Sequence, residues 1–253
     1  MTAGVVAAGP SPCPCPFGAE SMRVRFEQAV YGSFPFWHRG YGVLARSSGC
    51  RPAWLAALQA AGQRYGEPPV GTAEADGFFT MKLARGPWMI AGVFPQGRDD
   101  QDRPGALAFH ALFVGRWTYA WAGADPFVFA GALRRDWSRD DLDATLPGGC
   151  LAVPRLRLGR PTRPTPPHAD ERSAPIIAAL VQGRQVVVQS PEPIDELARD
   201  VWRTLPMRVR LRATVATWAF DNANRFDLVA LPKLAGLTRA SSDWILIPED
   251  AGS

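Results

Sequence analysis

The residues able to do chemistry are few and widely spaced. Three histidines (His38, His110, His168) and four cysteines (Cys13, Cys15, Cys50, Cys150) carry most of the nucleophilic and metal-ligating capacity. His110 stands out because it interrupts the apolar run ALAFHALFVG, where a titratable ring needs a partner. With Cys50 or Cys150 as nucleophile and Asn222 or Asn224 as the orienting group, it would make a cysteine hydrolase. Nothing in the spacing links these residues, and a core histidine hydrogen-bonded to its surroundings is the stronger reading. Asp99, Asp100 and Asp102 place three carboxylates in one polar loop, enough to hold a hard cation in a metal-dependent enzyme. Their spacing does not match a calcium loop, and Arg98 and Arg103 flank them, so a solvated turn is favoured.

Missing motifs narrow the field. The chain has no G-X-X-X-X-G-K-[ST], so it is not itself a P-loop nucleotide hydrolase. It also lacks a G-X-S-X-G elbow, an H-E-X-X-H zinc helix and a dinucleotide G-X-G-X-X-G. Cys13 and Cys15 are too close to brace a fold and have no second ligand pair beside them, so reduced thiols and no metal or other cofactor are expected. The formal charge is +4, but only Lys82 and Lys233 are lysines, and the arginines are interleaved with acids along the chain. That distribution argues against a nucleic-acid partner, whose binding site concentrates basic residues.

Two stretches are composed for contact with another protein. Residues 31–41 gather Tyr31, Phe34, Phe36, Trp37, His38, Arg39 and Tyr41 around Gly32 and Gly40, giving apolar side chains on a pliant backbone. The competing expectation is that these rings fold back onto a sheet as core. In MRVRLRATVATWA the alternation predicts one long strand, with Arg208, Arg210 and Arg212 on a common face able to grip a phosphate or an acidic partner surface. The plainer account of that face is solubility.

The elements that must position these residues read as an α+β fold, a mixed and mostly antiparallel sheet followed by a smaller β-α-β unit. Residues 1–21 read as a disordered leader, with Met22 as an alternative start. The sheet domain spans 22–153, a Pro/Arg-rich linker 154–174, and the second unit 175–253. RVRFEQAVY and YGVLARS form paired strands, and Pro52 opens a helix that Gly66 stops. FFTMKLARGPWMIAGVF is a hairpin about Arg85, Gly86 and Pro87, whose second strand is apolar on both faces. PQGRDDQDRPG is a loop, ALAFHALFVG another strand, and Asp125 caps a short helix beginning at Pro126. The second unit contains IIAALVQG and PEPIDELARDVWRTLP as helices, and RQVVVQS, FDLVALP and DWILIP as strands. No apolar run approaches the ~18 residues of a membrane span, and the N-terminus lacks a basic region for export, so a cytoplasmic location is expected.

The segments QAVYGSF…RGYGVLARSSGC, RPGALAFHALFV, DPFVFAGAL, GRQVVVQSPEP and WRTLPMRVRLRATVATWAFDNANRFDLVALP cover most of residues 26–232. In their order and their apolar and glycine pattern they resemble the N-terminal domain of the GTPase-associated proteins of bacterial GTPase-centred conflict systems. That resemblance implies an adaptor or regulator acting with a separate GTPase, and it brings no active site with it. Over about forty residues, the helix, GRQVVVQS strand, second helix and LP are also similar to the central part of DENN domains, which bind small GTPases and promote nucleotide exchange. Both likenesses share one segment and imply a protein partner.

Overall fold

The computed structural model describes residues 21–35, 40–69, 72, 74–84, 86–138, 140–141, 150–159, 171–234 and 244–248. The leader apart from Ser21, the turn residue Arg85 and residues 160–170 of the expected linker lie outside them. The fold is α+β, as the element pattern predicts. Within the alternating run that opens the described chain, β1 (Ser21–Arg25) and β2 (Glu27–Gly32) are separate strands on either side of Phe26. β1 pairs antiparallel with β8 (Arg155–Gly159) in a sheet of its own. β2 joins β3 (Gly42–Ser47) and β6 (Pro104–Val114) in the main sheet.

Among the described residues, that main sheet has ten strands in the order β12 (Trp244–Ile247), β9 (Gln185–Gln189), β11 (Leu228–Leu231), β10 (Val215–Ala216), β4 (Gly77–Lys82), β5 (Trp88–Arg98), β6, β2, β3 and β7 (Cys150–Leu151). Its antiparallel half contains β4, β5, β6, β2 and β3, with the short β7 added in parallel to β3. Its parallel half contains β9, β10, β11 and β12. The halves join where Ala216 pairs with Phe79, so the strands after residue 175 continue the first sheet edge to edge.

β5 shows why the sheet is central. Its side chains alternate between two cores, Trp88 and Ile90 on one side and Met89, Ala91 and Val93 on the other, and all five are almost fully buried. Helix α1 (Pro52–Gln63) covers the second core through Leu58 and Ala61. The first core lies under α2 (Arg116–Trp121), the 3-10 helix Pro126–Ala132, α3 (Ser173–Val181) and α4 (Asp195–Thr204). Asp125 caps the 3-10 helix as its position before Pro126 predicts, accepting from Phe127 N at 2.9 Å.

Two local expectations are corrected. The segment read as one long alternating strand begins instead with the single helical turn α5 (Met207–Arg210), and only Val215 and Ala216 are strand. Pro206, at φ −58° and ψ 142°, sets up that turn. Residues two apart on a helix are about 200° apart around its axis, so Arg208 and Arg210 do not share a face. PQGRDDQDRPG is not a loop throughout. β5 runs on to Arg98 and β6 starts at Pro104, with register shifts around Gly97 that let the hairpin carry on past its turn-forming residues.

Candidate functional site

The aromatic stretch divides between core and surface. Tyr31 and Phe34 are buried, while Tyr41 is 42% exposed; Phe36, Trp37, His38 and Arg39 lie outside the described residues. The Tyr31 ring sits between those of Phe109, at 5.7 Å, and Tyr41, at 6.1 Å. Asp100 holds both ends of the stretch. Its carboxylate accepts from Ser33 Oγ at 2.8 Å and from Gly40 N at 2.6 Å. Charged acceptors make hydrogen bonds stronger than neutral ones, so one side chain from the β5–β6 turn fixes where this loop leaves and rejoins the sheet.

Beside Tyr41 lies a groove made of two adjoining cavities. One, of about 310 Å³, is lined by Tyr31, Tyr41 and Phe109, and the other, of about 460 Å³, by Pro95, Pro104 and Phe220. Glu67, Pro68, Gly105 and Leu107 border both. The backbone positions these walls directly. Tyr65, just past α1, accepts through its carbonyl from the backbone N–H groups of Phe220 and Asp221, at 3.0 and 3.1 Å, tying that turn to the end of α1. Leu107 N donates to Tyr41 Oη at 3.3 Å. Sequence reading found Tyr31 and Tyr41 but not the opposite wall. Pro68-Pro69 was the available signal, and nothing local marks Phe220 as their neighbour.

The aspartates proposed for a cation do separate work. Asp99 is buried and accepts from the backbone of Gln101 and Arg103 and from Arg103 Nε at 2.6 Å. Asp100 grips the aromatic loop, and Asp102 pairs with Arg98 at 3.1 Å. Among the described residues, no group of three or more His, Cys, Asp or Glu side chains gathers to hold a metal ion.

His110 and Cys150 do come together, on the wall of a third cavity of about 440 Å³ with Arg134, Trp137 and Asp141. The imidazole is fully engaged there. Nδ1 accepts from Arg134 N at 2.8 Å, so Nε2 carries the proton and donates to Gln28 Oε1 at 2.7 Å. Burial, reinforced by the Arg134 charge, lowers the ring to a pKa of about 4, so it is neutral near pH 7. Cys50 lies elsewhere, 6% exposed, its thiol donating to Gln28 O at 3.3 Å beside the Ser47–Glu27 pair, and burial pushes its pKa up. Asn222 closes a turn by accepting from Phe226 N at 2.8 Å, and Asn224 donates to Ala61 O of α1 at 2.9 Å. Neither lines the His110 cavity.

The three arginines have separate surroundings. Arg212 donates to the carbonyls of Leu180 and Val181, both at 3.2 Å, capping the last turn of α3, while Arg208 is exposed and Arg210 half-buried. No helix among the described residues is long and apolar enough to cross a membrane. No protein-family model matches the chain, and no curated protein does.

Proposed function

We propose that this protein is a non-enzymatic adaptor or regulator that acts in the cytoplasm by binding a separate protein, a bacterial GTPase of a conflict or defence system. One observation supports the binding surface. Asp100 anchors both ends of the 33–40 loop next to an exposed Tyr41 and an open groove, so a contact loop rests on a rigid base. Fixing a loop before binding lowers the entropy lost on association. The GTPase as partner rests on the segment resemblance and on the missing phosphate-binding motif. Affinity purification of the tagged protein, with and without a non-hydrolysable GTP analogue, tests this. A GTPase retained in a nucleotide-dependent way, and retained less by Tyr41→Ala, is the expected result. Recovery of no GTPase in either state defeats the reading.

A thiol hydrolase using Cys150 with His110 is the second reading, favoured only because both line one cavity. Against it, each imidazole nitrogen is already committed to a hydrogen bond, leaving none to draw a proton from sulfur. Alkylating the thiols separates the two, since a hydrolase loses its activity while an adaptor keeps its partner.

A further inference from the structure

Three features meet in the groove beside Tyr41. The first is an open backbone edge. β6 pairs with β2 only from Ala108 onward, where Gly32 is its partner, so residues 104–107 bond to β5 on one side and, among the described residues, have no strand on the other. Leu107 N is held by Tyr41 Oη and Pro104 has no N–H, and Pro104, Gly105 and Ala106 border the groove. An unpaired edge accepts an extended chain through main-chain hydrogen bonds.

The second feature is the composition of the walls. Pro68, Pro69, Pro95 and Pro104 line the larger cavity together with Phe220. These are stiff side chains that lose little freedom on contact, and prolines offer no N–H to compete for the edge.

The third is charge. Among the described residues, Glu67 and Glu74 are the only charged ones lining the two cavities, both are exposed, and neither makes an ion pair with another described residue. The chain as a whole carries +4. A negative groove on a positive protein selects for cations and disfavours acidic segments.

We propose that this groove binds an extended peptide segment of the partner, paired along residues 104–107, with arginine or lysine side chains directed at Glu67 and Glu74. The inference rests on reading the protein as a binding module, and it names the chemistry of what is bound.

The test uses the full chain against an array of peptides of about ten residues, which at roughly 3.3 Å per residue extend past residues 104–107 at both ends. Selected peptides are then titrated by fluorescence anisotropy and by amide chemical shifts. The expected outcome is enrichment for arginine and lysine, dissociation constants around micromolar, and shifts centred on Gly105 and Leu107. Because both glutamates are exposed, Glu67→Gln with Glu74→Gln leaves the fold intact, and it should weaken binding about tenfold and flatten its salt dependence. The proposal is overturned by selection without a basic bias, by no selection at all, by unchanged affinity in the double variant, or by shifts that map elsewhere. A concentration-dependent dimer that the double variant abolishes also overturns it, making a second copy of this chain the occupant. The outcome is separable from that of the adaptor reading. GTPase capture that survives the double variant removes the groove alone, and basic peptides that bind without any captured GTPase remove the GTPase alone.

Discussion

His110 Nε2 lies 2.7 Å from Gln28 Oε1, and Gln28 Nε2 in turn donates to Ala152 O at 2.7 Å. With Arg134 N on the other ring nitrogen, these bonds form a chain that joins β6 and β2 to the segments following the 3-10 helix and β7. The bond from Arg134 requires a neutral imidazole, since protonating Nδ1 removes its acceptor, whereas Nε2–H donates to Gln28 in either form. The ring also stands edge-on to Trp137, with centroids 5.1 Å apart, and is almost fully buried.

This chain predicts acid sensitivity. The folded pKa is about 4 and the ordinary value 6.5, so the unfolded state binds the proton first. Its contribution is fully present above pH 6.5 and is lost as pH falls towards 4, with a ceiling of about 3 kcal/mol at 1.36 kcal/mol per unit. Urea unfolding across that range should show the loss in the wild type and a flatter profile in His110→Asn. Parallel profiles for the two proteins would assign the acid sensitivity to other groups.

Asp100 predicts a loop effect with a modest stability cost. Asp100→Ala leaves Ser33 Oγ and Gly40 N without their acceptor, which should destabilise by about 1–3 kcal/mol and speed amide exchange at Gly40. Asp100→Asn keeps one acceptor oxygen and should fall between the two. If exchange at Gly40 is unaltered in Asp100→Ala, the carboxylate is not what holds the loop.

What the sequence made legible follows from how local each signal is. β5 was readable because burial on both faces writes a continuous apolar run, and Asp125 before Pro126 is a cap signal contained in adjacent positions. His110 was readable as a core histidine, but its partner Gln28 is 82 positions away and is placed by strand pairing that no local pattern encodes. The strand read through Arg208, Arg210 and Arg212 failed because alternation over a few residues also fits a helical turn that buries Val209, and Pro206 decided between them. Around Gly97 the glycine and proline signals read as a loop, yet hairpin pairing absorbed them as a bulge. The groove was the least legible feature, since its walls come from four separate parts of the chain and only Tyr31 and Tyr41 announced themselves.

Gly66 separates two reasons a glycine can be required. It follows α1 at φ +88°, and a Cβ there would sit 2.8 Å from both Phe220 C and Asp221 N, which are backbone atoms held in place by their N–H bonds to Tyr65 O. Gly66→Ala therefore costs about 1 kcal/mol for the left-handed backbone and about 1–3 kcal/mol more for the forced shift of the 220–221 turn. Gly97, at φ +74°, has nothing within 4 Å of the corresponding position, so Gly97→Ala carries the backbone cost alone. Thermal or urea unfolding should rank the variants accordingly, Gly66→Ala clearly the less stable. Because Phe220 lines the groove and Gly97 also borders it, peptide binding should fall with Gly66→Ala, where the wall moves, and persist with Gly97→Ala, where it does not. Equal stability of the two variants would mean that the 220–221 turn yields freely, and the wall it forms would then not be the rigid surface that the groove requires.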